Sequence, residues 1–316
     1  MASFHFPQTY VHGHPHAVLS GLWRLADPKI TVASAIPFLV AVALAIDARG
    51  AVDVRLAFAA FLAIFFVEAG KNAVNDLADY RSGADLAVRD DERSPFSGGK
   101  RVLVDHLLSE RELTVIAWAA FTAAGIIGFV VAMHSRFELL LLGAVAAAIA
   151  VAYSVPPFQL SYRGLGELAV GVVYGPGIVI GGVLLLGGRI TGEILVASLT
   201  LGLLIADVLL VNEIPDERAD RITGKNTLVV LLGREKAVAL SDTIFVGAFS
   251  LPLLAALYMA MPFRVVALAA GMPLAVIASD LLSHPRRPGP PVAAQALMIA
   301  VYVTSGLGYA AAVMLL

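Results

Sequence analysis

Nine apolar runs divide this chain, each close to the ~20 residues that a helix needs to cross a bilayer. They lie at 29–46, 54–76, 113–133, 137–153, 165–187, 193–213, 236–261, 263–281 and 292–316. In lipid every backbone N–H and C=O must be satisfied inside the spanning structure, and runs of this length do so as helices. The expected fold is all-α, a multi-pass membrane protein with nine transmembrane helices. The breaks fit: Arg136, Gly187-Gly188-Arg189, Met261-Pro262-Phe263-Arg264 and His284-Pro285-Arg286-Arg287-Pro288 each separate two runs.

Composition agrees. The chain is 59% hydrophobic and 15% charged, where soluble domains average about 45–50% and roughly 25%. It has no cysteine, which excludes disulfides and thiolate metal sites, and its net charge of −2 argues against a nucleic-acid partner. The first residues lack the basic segment and apolar core of a cleavable signal peptide. Residues 1–20 carry His5, His12, His14 and His16, a spacing that could hold a metal. Pro7 and Pro15 favour a disordered cytoplasmic tail instead, followed by one transmembrane domain over 21–316. Trp23 and Arg24 suit an interfacial anchor.

Basic residues set the expected orientation. Of the 22 Lys and Arg, 16 fall on the side of the N-terminus and of the loops after runs two, four, six and eight. Five fall on the other side, and Lys71 lies inside a run. This bias predicts a protein of the cell membrane with its N-terminus and those loops in the cytoplasm.

Two acidic stretches end runs two and six on that same side. The first is Asn72-Ala73-Val74-Asn75-Asp76-Leu77-Ala78-Asp79, continuing to Arg81 and Asp85; the second runs from Asn212 through Asp216 to Asp220. At helical spacing Asn72, Asp76 and Asp79 share one face, as do Asn212, Asp216 and Asp220. Carboxylates so close to the membrane are costly unless they bind something. Two facing sets of oxygen ligands suit Mg²⁺, which takes a few carboxylates and completes its shell with water and phosphate. Asp76, Asp79, Asp216 and Asp220 are the candidate metal-binding and catalytic residues, and Asn72, Asn75, Asp85 and Asn212 stand beside them. Arg81, Lys100 and Lys225 are candidates for the diphosphate oxygens that metal leaves uncovered. Lys225 is favoured by its turn, Thr223-Gly224-Lys225-Asn226-Thr227. Pro215 interrupts the second motif and removes one helical N–H.

Tyr153, Tyr162 and Arg163, between runs four and five, return polar and aromatic groups to the same mouth. Aromatic faces there can stabilise positive charge at a reacting allylic centre, and an interfacial aromatic belt would look the same in sequence. Glu68 and Lys71, three residues apart, are expected to form a structural pair within the bundle. Asp207 has no local partner and is expected to face the cavity beneath the metals.

At these residues the chain resembles the UbiA superfamily of intramembrane prenyltransferases. The likeness rests on Asn75-Asp76-x-x-Asp79 after run two, on Asn212-x-x-x-Asp216-x-x-x-Asp220 after run six, and on Tyr153…Pro157…Tyr162-Arg163-x-x-Gly166-Glu167 between them. It implies a helical bundle around a central cavity, Mg²⁺ held by both motifs and a polyprenyl diphosphate donor. Within the superfamily, Tyr80-x-x-Gly83-x-Asp85 and Tyr162-Arg163-Gly164-Leu165-Gly166-Glu167 are most like the branch that prenylates 1,4-dihydroxy-2-naphthoate for menaquinone. Ser94-Pro95-Phe96-Ser97-Gly98-Gly99 and Glu213 depart from that pattern. The expected activity is Mg²⁺-dependent transfer of a polyprenyl group to an aromatic acceptor, with the isoprenoid tail reaching toward membrane lipid. Arg163 is the expected partner of the acceptor carboxylate or of the diphosphate. A family member using 4-hydroxybenzoate or a glycerol-based lipid is the alternative. A secondary transporter would place its polar residues near the midplane rather than at one interface. The Asp-Gly…Ala-Arg…Gly…Asp…Asp pattern of CDP-alcohol phosphotransferases is absent.

Overall fold

A computed structural model describes residues 15–284 and 291–316, and these are helical almost throughout. The expected segment Arg286-Arg287, with His5, His12 and His14, lies outside the described residues. The chain is folded earlier than the expected boundary at residue 20, because α1 spans Pro15–Ala26. Its buried Ala17 and Leu25 pack into a small apolar cluster with Ala73, Val102, Leu103 and Leu108, which is what holds those residues in a helix.

The apolar runs form α2 (Pro28–Arg49), α3 (Val54–Ser82), α5 (Glu110–Met133), α6 (Leu139–Ala152), α9 (Gly192–Glu213), α12 (Arg234–Tyr258) and α14 (Val292–Leu315), together with two composite helices. One composite joins α7 (Gly166–Val172) to α8 (Ile178–Leu185) through a π-helical turn at Val173–Gly177. The other begins as a 3₁₀ helix, Phe263–Gly271, and continues as α13 (Met272–Ser283). Among the described residues seven helical segments are long and apolar enough to cross a membrane, and Leu139–Ala152 is a shorter apolar one. The short helices α4 (Ala84–Ala87), α10 (Glu217–Ile222) and α11 (Leu228–Leu232) lie in the two loops that follow the acidic motifs, and a 3₁₀ turn, Leu160–Tyr162, lies between α6 and α7.

Local chemistry sets the ends. Asp53 caps α3 by accepting from the backbone N–H groups of Arg55 and Leu56. Ser109 and Glu112 form a reciprocal capping box on α5. Thr191 caps α9. Helix α3 continues to Ser82, so the whole first acidic motif is helical. The second motif is not on one helix as its spacing implied. Pro215 cannot donate, α9 stops at Glu213, and α10 starts afresh at Glu217. The Val211 carbonyl nevertheless keeps a partner, the N–H of Ile214 at 3.3 Å.

α9 runs through the middle of the bundle, against α12, α7 and α14. Its seam with α7–α8 is a backbone contact. A Cβ on Gly175 would lie 2.5 Å from Gly202 Cα, and one on Gly202 would lie 2.7 Å from the Gly171 carbonyl. At the end of the bundle away from the acids, Arg264 makes paired bonds to Asp47 (3.1 and 2.7 Å) and to Glu193 (2.8 and 3.1 Å). Tyr309 also donates to Glu193, so α2, α9, α14 and the 3₁₀ segment are tied at one point.

Candidate active site

The loop between α4 and α5 crosses the acidic end of the bundle. Residues 102–108 anchor it on α1, α3 and α5 through the small apolar cluster. Arg24 pairs with Asp105 at 2.5 Å, Lys100 pairs with Asp27, and Arg218 reaches from α10 to Glu92 and to the Ala87 carbonyl. Beneath the loop lies a cavity of about 490 Å³. It is lined by Asn72, Asn75, Asp76, Asp79, Asp85, Lys100, Tyr153, Asn212, Asp216, Asp220 and Lys225, so eleven of the fourteen expected site residues meet there.

Asp79 is the hub. It accepts from Asn75 Nδ2 at 2.6 Å, from the Tyr162 hydroxyl at 2.7 Å and from Lys225 Nζ at 3.1 Å. Lys225 also stands 3.9 Å from Asp220 and lies over the Tyr162 ring, 5.5 Å from its centre. That arrangement exists because the Asn226 N–H donates to the Tyr162 carbonyl, which joins the α6–α7 loop to the turn after α10. Asp76 and Asp216 are set differently. One oxygen of each accepts a backbone N–H from the loop, Leu103 at 3.3 Å and Gly98 at 3.0 Å. The other oxygen of each is buried and has no hydrogen-bond partner, as are Asp85 Oδ2 and Asn212 Oδ1. Gly99 presses on Asp85 at a positive φ of 75°, and a Cβ there would sit 2.2 Å from Asp85 Oδ1. Only glycine allows the loop to close this far.

Three expected residues are placed elsewhere or at the edge. Arg81 is exposed on the outer face of α3, where Glu110 takes its guanidinium at 2.9 Å. Arg163 is exposed and donates to the Pro157 carbonyl at 2.7 Å, away from the cavity. Tyr162 reaches the site only through its hydroxyl on Asp79. Asn72 lines the cavity but spends its amide on the Leu25 carbonyl at 2.8 Å, and so fixes the corner between α1 and α2. Glu68 and Lys71 make no direct ion pair, although each still feels the other's charge: Glu68 accepts from Ser34 on α2, and Lys71 donates to Tyr174 on the π-helical turn. Asp207 is fully buried but does not line the cavity; its carboxylate is directed into the packed helices. Sequence reasoning passed over Asp27, Tyr174, Tyr302 and Glu213, which all line the cavity. Glu213, within the second motif, was the one with a visible signal.

Burial dominates the electrostatics. It pushes the Asp85 carboxyl up to about 8, with the charges of Asp79 and Asp76 adding to it. Burial raises Asp216 to about 6 and Asp220 to about 7, against the pull of the Gly98 N–H and of Lys225. Burial alone would lower the Lys225 ammonium, yet Asp79 and Asp220 carry it well above the usual lysine range. Among the described residues no three carboxylates or histidines converge closely enough to hold a metal by themselves. The donor set is all oxygen, and five residues that line the cavity, Asp76, Asp85, Asn212, Glu213 and Asp216, each have a buried oxygen without a partner. It fits a hard cation such as Mg²⁺ that brings a phosphate ligand and water to complete its shell.

A pH dependence follows. The raised acids hold protons in the folded, metal-free protein that the unfolded chain has already released, so stability falls as pH rises from about 4 through these folded values. Mg²⁺ needs the carboxylates deprotonated. Thermal unfolding in detergent should show a larger Mg²⁺-induced rise in Tm at about pH 8 than at about pH 5.5, relative to EDTA. An equal rise at both would contradict the site.

These features define a polytopic helical membrane protein whose acid-lined cavity is buried at one end of the bundle. The chain belongs to the UbiA prenyltransferase family, whose model matches residues 34–303, and it is a prenyltransferase. It is 28% identical over 228 residues, 72% of this chain and 71% of the relative, to a 1,4-dihydroxy-2-naphthoate octaprenyltransferase of Bacillus subtilis. It is 31% identical over 210 residues, 66% of this chain and 68% of the relative, to the Mycobacterium tuberculosis protein of the same description. The fold is that of a UbiA homolog from Archaeoglobus fulgidus solved with DMAPP and Mg²⁺, with a TM-score of 0.66 and 16% identity over 94% of this chain and 100% of that one.

Proposed function

We propose that this protein transfers a polyprenyl group from its diphosphate to 1,4-dihydroxy-2-naphthoate, with its acid-lined mouth at the cytoplasmic face and all nine apolar runs crossing the membrane. The observation that carries the reading is the set of partnerless buried oxygens on Asp76, Asp85, Asn212, Glu213 and Asp216, residues that line one cavity together with Lys225. Asp76 and Asp79 from one motif and Asp216 and Asp220 from the other would hold Mg²⁺, which supplies the charge neutralisation that lets a diphosphate leave. Lys225 and Lys100 meet the remaining diphosphate oxygens. Tyr162 and Asn75 keep Asp79 aimed, and the loop over the mouth, seated by Gly98 and Leu103, keeps bulk water from the reacting carbon.

The allylic C–O bond breaks with its electron pair leaving on the diphosphate. A carbon–carbon bond forms at the acceptor ring, and the carboxylate departs as CO₂ with its bonding pair restoring the ring. The isoprenoid tail lies in a second, apolar cavity of about 390 Å³ bounded by α3, α5, α6 and the α7–α8 helix. The likeness of acceptor chemistry among the curated relatives supports the naphthoate choice.

The test is product mass from sealed inside-out membrane vesicles given a polyprenyl diphosphate and three acceptors: the naphthoate, 4-hydroxybenzoate and a glycerol-based lipid. A prenylated naphthoate lacking its carboxyl group is expected, with no product from right-side-out vesicles given the same diphosphate. Transfer only to one of the other acceptors would defeat the naphthoate assignment, and product only from right-side-out vesicles would reverse the orientation.

A further inference from the structure

The two cavities meet at a narrow junction, and Lys71, Tyr153, Val170 and Tyr174 line both. Lys71 is the one cation among them. Its ammonium has three N–H donors. The Tyr174 hydroxyl lies 3.3 Å away and the Tyr174 ring 5.7 Å away, and both are neutral. Glu68, one turn earlier on α3, accepts from Ser34 on α2 at 3.0 Å, and its charge still acts on Lys71 from beyond ion-pair distance. The basic side chain is therefore set deep in the bundle with no carboxylate within 4 Å, and Glu68 offsets its charge only at longer range. Such a charge is costly unless a partner of opposite sign arrives.

Position decides which ligand that is. Lys71 lies five residues before Asp76 on a continuous helix, about 7.5 Å deeper, on the side of the acid-lined cavity that adjoins the tail cavity. The tail cavity is otherwise apolar apart from Glu68. What must come to the junction is the nucleophile, whose ring carbon meets the allylic carbon between the diphosphate and the tail. Tyr153 and Tyr174 line both cavities there, Tyr302 lines the acid-lined one, and their rings suit a flat acceptor.

We propose that Lys71 is the acceptor-binding cation, and that its ammonium holds the carboxylate of an aromatic acid at the junction of the two cavities. This rests on the prenyl-transfer reading and assigns to Lys71 the contact that the exposed Arg163 does not make. A lost contact to a desolvated charge weakens binding steeply.

The probes are 1-hydroxy-2-naphthoic acid and its methyl ester, used as inhibitors of transfer. In the wild-type protein the acid should bind about tenfold more tightly than the ester or better. Lys71→Met should raise the acceptor KM and the inhibition constant of the acid by roughly tenfold to a hundredfold. The ester's inhibition constant and the donor KM should stay unchanged, and Lys71→Arg should recover part of the loss. Equal inhibition by acid and ester in the wild type overturns the proposal even if Lys71→Met does not fold. So does a variant in which the donor KM moves while the acid's inhibition constant does not. The two layers separate: product formation without acid–ester discrimination removes only the role of Lys71, whereas no transfer to any acceptor removes the reading beneath it.

Discussion

Asp76→Asn and Asp216→Asn each lower prenyl transfer by about a hundred- to a thousandfold, the range seen when a preorganised electrostatic contact to developing charge is removed. Each aspartate lines the cavity, accepts a backbone N–H of the loop with one oxygen and keeps the other buried without a partner. The amide oxygen can still accept from Gly98 or Leu103, so the loop stays seated and the loss reports on charge. Asparagine is therefore more informative than alanine, which would also release the loop. Excess EDTA should abolish the wild-type rate, and added Mg²⁺ should restore it. The measurement is steady-state transfer beside a thermal melt of each variant. A folded Asp216→Asn protein that keeps more than about a tenth of the rate would show that the second motif does not carry the diphosphate.

The second large effect is at Lys225. Its ammonium bridges Asp79 on α3 to Asp220 on α10, the two halves of the site. Lys225→Met leaves those buried carboxylates facing each other and removes a donor for the departing diphosphate. We expect a loss in kcat of about a hundredfold, with a raised KM for the donor and an unchanged KM for the acceptor. Lys225→Arg should restore only part of it. Its planar, delocalised fork does not place one compact charge on both Asp79 and Asp220 as an ammonium does. A rise in the acceptor KM alone would place Lys225 with the acceptor and remove it from the diphosphate.

Much of the site was legible because helical periodicity is a local rule. Asn72, Asp76 and Asp79 lie on one helix, and their common face is realised directly. The convergence of Asn212, Asp216 and Asp220 is realised by different means, since the chain breaks at Pro215 and a new short helix brings Asp220 back. Periodicity does not tell which loop crosses which mouth. Arg81 and Arg163 were reasonable candidates by nearness in sequence, yet Glu110 and the Pro157 carbonyl draw them outward. Asp27 joins the site only because α1 folds onto the loop after α4, a contact between residues 73 apart. The Glu68–Lys71 pair failed for a related reason. Three-residue spacing brings two side chains near each other, but Ser34 and Tyr174 on other helices offered each a partner that sequence spacing does not reveal.

The glycine seam between α9 and the α7–α8 helix bears on how the enzyme can change its substrates. Tyr174 stands on the π-helical turn at that seam, so the depth of the reaction chamber is referenced to main chain touching main chain. A residue that already has no side chain has nothing left to trim, and the close approaches at Gly175 and Gly202 leave no room to add a methyl. The datum from which the chamber is measured is thus outside the reach of graded substitution. Descendants of this sequence that accept a larger or smaller ring must do so by exchanging Tyr153, Tyr174 or Tyr302 on a floor that stays where it is.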